Sequence, residues 1–150
     1  MQYLAAIDQI MGMVDYERPS TIPGTRARYD LGRIGALLAA LGNPHLDIPT
    51  IHVAGTKGKG STVSMVTTVL SQQGFTTGTF ISPHLHSFRE RISVNSQPIT
   101  EREFSDLVEY IWPHSESLAE KDAGGPVTLF EMLTAMAFLH FNQIHADFQV

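Results

Sequence analysis

The sequence predicts an α/β fold, a P-loop-containing and mostly parallel sheet with flanking helices, and three observations point there. The stretch Ile51–Val66, IHVAGTKGKGSTVSMV, passes from an apolar β-branched run through closely spaced glycines straight into a helical pattern. A second strand-like run, Phe75–Ser82, follows after a crossover long enough for one helix, as parallel pairing requires. The last residues, Ala146–Val150, read as the start of a third buried strand.

Composition sets the frame. A chain of 150 residues with 43% hydrophobic and 17% charged content suits one domain with its own core. Its formal net charge is −5 and its basic residues are scattered, which argues against a nucleic-acid face. The absence of cysteine excludes disulfides, zinc–thiolate sites and cysteine nucleophiles, and fits a reducing compartment. The N-terminus lacks a signal-peptide pattern, and no apolar run approaches the ~20 residues of a membrane span. A cytoplasmic monomer without membrane contact is expected.

The elements follow in order. Leu4, Ile7, Ile10 and Val14 recur at helical spacing, predicting a helix over about Tyr3–Val14. The Pro- and Gly-containing run from Asp15 to Arg28 reads as a loop. Leu31, Ile34, Leu37, Leu38 and Leu41 mark a second helix that Gly42 ends. A first strand at Thr50–Ala54 leads into the glycine loop and a third helix, closed by Gly74. Arg91–Ile99 reads as a hairpin turning at Asn95 and Ser96. Thr100 with Glu103 forms a capping-box pattern for a helix through Phe104, Leu107, Val108 and Ile111, which Pro113 is expected to stop. His114–Pro126 then reads as a polar loop, and a last helix covers about Leu129–Ile144.

The glycine loop carries the chemistry. Backbone N–H groups at a helix start, with the helix dipole, attract anions, and glycines let the backbone curl around phosphate oxygens. Gly55, Thr56, Lys57, Gly58, Lys59, Gly60 and Ser61 are therefore the expected phosphate-binding residues, with Lys59 reaching the terminal phosphates. The pattern departs from G-x-x-x-x-G-K-[ST]: Val53 stands where the first glycine belongs, and Gly60 follows Lys59 where a hydroxyl would ligate Mg²⁺. The metal needs its oxygen elsewhere, and Ser61 and Ser82 are the two candidates; Ser82 ends the second strand, on the side of a parallel sheet where ligands bind. A plain strand-to-helix turn with solvated lysines is the bland alternative.

HVAGTKGKGST (His52–Thr62), FISPHLHSFRERISVNSQPI (Phe80–Ile99) and TLFE (Thr128–Glu131) resemble, in order and spacing, the N-terminal ATP-binding domain of folylpolyglutamate synthases and bifunctional dihydrofolate synthases, amide-forming enzymes of the Mur-ligase type. The resemblance runs from about Asp30 to Val150. It implies a fold like the central domain of Mur ligases, truncated here after the third strand begins, and a reaction in which ATP phosphorylates a folate or dihydropteroate carboxylate before L-glutamate attacks the acyl phosphate. Lys59 would be the catalytic residue, Ser82 the Mg²⁺ ligand, and ATP and Mg²⁺ the cofactors. Thr128, Leu129, Phe130 and Glu131 would bind the pterin-bearing substrate, and Tyr29, Asp30 and Leu31 stand where the family has a second such segment. Residues 1–150 would be the N-terminal portion of the ATP-binding domain, without the C-terminal glutamate-binding domain and inactive alone. A nucleotide-binding module without catalysis, or another Mur-type ligase, are the alternatives.

Other residues read more blandly. Thr128 and Glu131 also form a T-x-x-E capping box, which stands beside the substrate role. His84 and His86 suggest an i, i+2 metal pair, but without a third ligand local hydrogen bonding is the better reading. Arg89, Glu90 and Arg91 suit a protected strand edge better than an anion contact. Met132, Met136, Phe138 and Phe141 read as core.

Overall fold

The computed structural model describes residues 1–15, 31–120 and 125–150, with five α-helices, one 3-10 turn at Phe88–Arg91 and four short strands among them. Helix α1 spans Tyr3–Met11 and α2 spans Leu31–Ala40. After Ala40 the chain turns at Gly42, whose φ of +84° only glycine adopts readily, and Asn43 N–H returns to Leu38 O at 2.7 Å. Helix α3 spans Lys59–Gln72, α4 Glu101–Glu120 and α5 Leu129–Gln143. The strands are β1, Thr77–Phe80; β2, Ile92–Val94; β3, Gln97–Pro98; and β4, Phe148–Gln149.

The sheet order is β3-β2-β1-β4. Pairing of β1 with β4 is parallel, whereas β1–β2 and β2–β3 are antiparallel, so the expected mostly parallel sheet is a mixed one. Two reversals cause this. Residues 81–91 bring β2 back antiparallel along β1, and Asn95 and Ser96, both at positive φ, the geometry that reverses a strand over two residues, then fold β3 back along β2. The strand expected at Thr50–Ala54 is reduced to a bridge of Thr50 with Gln149, because β4, its bridged neighbour, is itself two residues long. Even so, Ile51 N–H donates to Gln149 O at 2.8 Å, and Gln149 N–H donates to Pro49 O at 3.0 Å. As expected, the C-terminal segment forms a buried strand, and it lies between the Thr50 segment and β1.

Strand alternation sends β1 side chains to both faces. Thr79 meets α3, its hydroxyl 2.8 Å from that of buried Thr67. Gly78 faces the other way, against the ring of Phe141 on α5. Helices α1, α2 and α4 pack on that second side, building a core around Ile10, Leu37, Phe104, Ile111, Met132 and Phe141. Pro113 does not stop α4, which continues to Glu120. Proline removes one N–H and crowds the preceding turn. The stripe Phe104, Leu107, Val108, Ile111, Ser115 remains buried across it, and Leu118 packs against the same core, so burial holds the last turns where the local signal predicts a break. Among the described residues no helix is long and apolar enough to cross a membrane.

Candidate functional site

The glycine loop leaves the sheet beside β4 and enters α3 through Gly58, whose φ of +76° turns the chain. No side chain caps α3, since its N-cap residue has none. From Gly55 to Ser61 the loop is exposed, and Lys59 folds back so that its Nζ donates to Gly55 O at 2.7 Å. The result is a bare helix start, an adjacent lysine and no acidic side chain in the loop, an arrangement suited to an anion.

Ser82 sits just past β1. Ile81 N–H bonds Arg91 O at 3.0 Å, and the following Ser82–Pro83 peptide is cis. Beyond it the loop is tied down by Glu90, whose carboxylate accepts the N–H groups of Leu85, His86 and Ser87 at 2.8–3.0 Å. These bonds, that to Leu85 foremost, hold the Glu90 carboxyl below the usual carboxylate range. Arg91 is buried and donates from Nε to His84 Nδ1 at 2.8 Å, and Arg89 donates to Ile99 O at 3.2 Å. The Arg-Glu-Arg run therefore organises the loop that carries Ser82. His84 is engaged by Arg91 and packs on Phe88, while His86 points to solvent, so they do not form a metal pair; no group of three His, Asp or Glu among the described residues suits a metal.

Thr128 and Glu131 make both halves of the capping box that starts α5: Glu131 N–H to Thr128 Oγ1 at 3.2 Å, and Thr128 N–H to Glu131 Oε2 at 2.8 Å. Leu129 is buried, and its N–H reaches Val14 O at 2.9 Å. Phe130, 43% exposed, turns outward, its ring centroid 5.9 Å from that of Phe80.

A largely apolar cavity of about 380 Å³ gathers part of this set: Lys59, Gly60, Ser82 and Phe130 all line it, with Val63 and Phe141. Gly55, Thr56, Lys57, Gly58 and Ser61 lie in the loop at its side without lining it, and Thr128, Leu129 and Glu131 hold α5 from behind. Leu31 opens α2, exposed and away from the cavity wall; Tyr29 and Asp30 lie outside the described residues, as does most of the loop expected between Asp15 and Arg28.

Sequence reasoning missed Arg33. Its guanidinium, buried in the first turn of α2, donates from Nε to both oxygens of Glu131 at 3.2 Å and from Nη2 to Oε1 at 3.1 Å. The available signal was a charge one turn before Leu37, on the apolar face of a short helix.

Comparison with known proteins fits this arrangement. No protein-family model matches the chain. It is 48% identical over 121 residues to a dihydrofolate synthase/folylpolyglutamate synthase of Bacillus subtilis, covering 80% of this chain and 28% of that protein. The crystal structure of folylpolyglutamate synthase from Thermotoga maritima superposes with a TM-score of 0.83 at 38% identity, over 99% of this chain and 32% of that one. A folylpolyglutamate synthase solved with AMPPCP and folate superposes at 0.86 and 34% identity, over 100% of this chain and 34% of that one. The chain thus spans about a third of the length of its relatives. By sequence and by fold, over the stretch that it spans, this chain is a homologue of the folylpolyglutamate and dihydrofolate synthases.

Proposed function

We propose that this chain carries the nucleotide-phosphate seat and part of the acceptor wall of an ATP-dependent ligase that joins L-glutamate to a carboxylate of folate or dihydropteroate. The observation that supports it most is the cavity on which Lys59, Gly60, Ser82 and Phe130 meet, in a chain whose relatives bear that activity in their names.

In this reading the N–H groups from Thr56 to Ser61 hold the β- and γ-phosphates at the start of α3. Lys59 exchanges its bond to Gly55 O for a phosphate oxygen, meeting the charge that develops as the γ-phosphoryl group moves to the acceptor carboxylate. That transfer forms a carboxylate–phosphorus bond and releases ADP. The amine of glutamate then attacks the acyl carbon, phosphate leaves and the amine gives up a proton. Phe130 offers an exposed ring at the cavity, a face on which a pterin or aminobenzoyl ring can stack.

The Ser82 hydroxyl, exposed and beside Lys59 and Gly60, fits a hard cation that takes oxygen donors. Among the described residues no acidic side chain lines the cavity, so the nucleotide phosphates would be the charged ligands. Bound there, Mg²⁺ would neutralise charge on the phosphates.

The test is direct. Purified protein carrying this chain is supplied with ATP, Mg²⁺, glutamate and either dihydropteroate or folate, and the product is weighed by mass spectrometry. A mass gain of one glutamyl unit with stoichiometric ADP is expected. AMPPCP binding without acceptor-dependent product would leave a nucleotide-binding module instead.

A further inference from the structure

The buried ion pair between Arg33 and Glu131 joins the first turn of α2, which begins at Leu31, to the first turn of α5, which begins at Leu129 and carries Phe130 on the cavity wall. We infer that Arg33 and Glu131 are positioning residues for the acceptor, setting the first turn of α5 so that Phe130 meets it in a fixed orientation. The inference rests on the functional reading above and deepens it.

The geometry carries the argument. Glu131 is 9% exposed, and its two oxygens receive three donors: Thr128 N–H, and Arg33 through Nε and Nη2. A carboxylate engaged in this way is not free to contact a substrate. Phe130, its neighbour in the same helical turn, has its ring on the cavity. Arg33 itself is 6% exposed and separated from Glu131 by 98 positions, so the contact fixes tertiary geometry rather than helix formation.

Stability alone does not account for the choice. A buried ion pair gains little over well-packed apolar side chains of similar volume, because desolvation offsets attraction. The capping of α5 is already met by Thr128. What the guanidinium adds is direction: a planar fork meeting a carboxylate edge fixes two side chains at once, which a lysine, a point charge on a flexible stem, does not reproduce.

Steady-state kinetics of the ligase-active protein decide it, with the acceptor (dihydropteroate or folate) and ATP varied separately. For Arg33→Lys the acceptor KM should rise about tenfold, equivalent to about 1.4 kcal/mol, while kcat and the ATP KM stay within about twofold. The double variant Arg33→Met/Glu131→Gln, which removes both charges and keeps an acceptor for the cap, should show the same KM rise with a melting temperature near that of the wild type. Acceptor and ATP KM rising together in step with lost thermal stability would mean a merely structural pair, and an unchanged acceptor KM in either variant would equally overturn the inference. A wild-type protein that ligates neither acceptor overturns the functional reading and the role of the pair with it, a failure visible before any substitution is made.

Discussion

Gly78 on β1 lies directly under the ring of Phe141 on α5: a Cβ there would fall 2.5 Å from Phe141 Cγ and Cδ1. Glycine is needed here for close approach, since the ring packs on bare backbone in the centre of the sheet. Gly78→Ala should destabilise the fold by about 1–3 kcal/mol through overpacking, and Gly78→Ala/Phe141→Leu should recover part of the loss. Urea unfolding of the three proteins checks this; an unchanged midpoint for Gly78→Ala would refute the packing.

On the opposite face, Thr67 and Thr79 share a buried hydrogen bond at 2.8 Å between α3 and β1. Thr67→Val should cost about 1–2 kcal/mol because it removes one buried partner, whereas Thr67→Val/Thr79→Val should cost less than the single change. Additive losses in a double-mutant cycle would show that the two hydroxyls do not pair.

Ser61 and Ser82 are the two candidate ligands for the proposed Mg²⁺. Ser82 lines the cavity with Lys59, whereas Ser61 lies in the first turn of α3 without lining it. In the active protein, Ser82→Ala should raise the Mg²⁺ concentration for half-maximal rate and lower turnover, and Ser61→Ala should shift that midpoint less. The reverse order in a Mg²⁺ titration would return the ligand to the loop.

Removing the Lys59 charge should weaken AMPPCP without touching the core, since the side chain is exposed and bonds only Gly55 O among its described contacts. Lys59→Met is expected to raise the dissociation constant for AMPPCP at least about tenfold, as loss of a charge-assisted contact does, with an unchanged melting temperature. Calorimetric titration reads it, and equal affinity in both proteins removes Lys59 from the phosphate seat.

His140 supplies a pH dependence. Burial pushes its imidazole below the usual histidine value of 6.5, against the opposing pull of Glu103. A depressed folded pKa means that the unfolded chain binds more protons just below pH 6.5, so stability falls as pH drops through that region. Glu103, held low first by its bond from the Thr100 hydroxyl, loses its contribution only below 4.5. Urea unfolding at about pH 5 and about pH 7.5 should therefore show a difference that His140→Gln reduces; an identical difference in the variant would assign it elsewhere.

Local chemistry alone determined much of this protein. The glycine spacing from Gly55 to Gly60 gives a loop that must enter a helix, Thr128 with Glu131 gives a capping box, and Asn95–Ser96 gives a hairpin turn, because each depends on backbone preferences within a few residues. Tertiary structure decided the rest. Whether the sheet is parallel depends on which strands meet, and β2 folds onto β1 while β4 separates β1 from the Thr50 segment. Pro113 breaks a helix by local rules, yet α4 continues through it because Ser115 and Leu118 still face the core. Arg33 finds Glu131 across 98 residues, a pairing that appears only once α2 packs on α5, since no local backbone preference brings together residues so far apart in sequence.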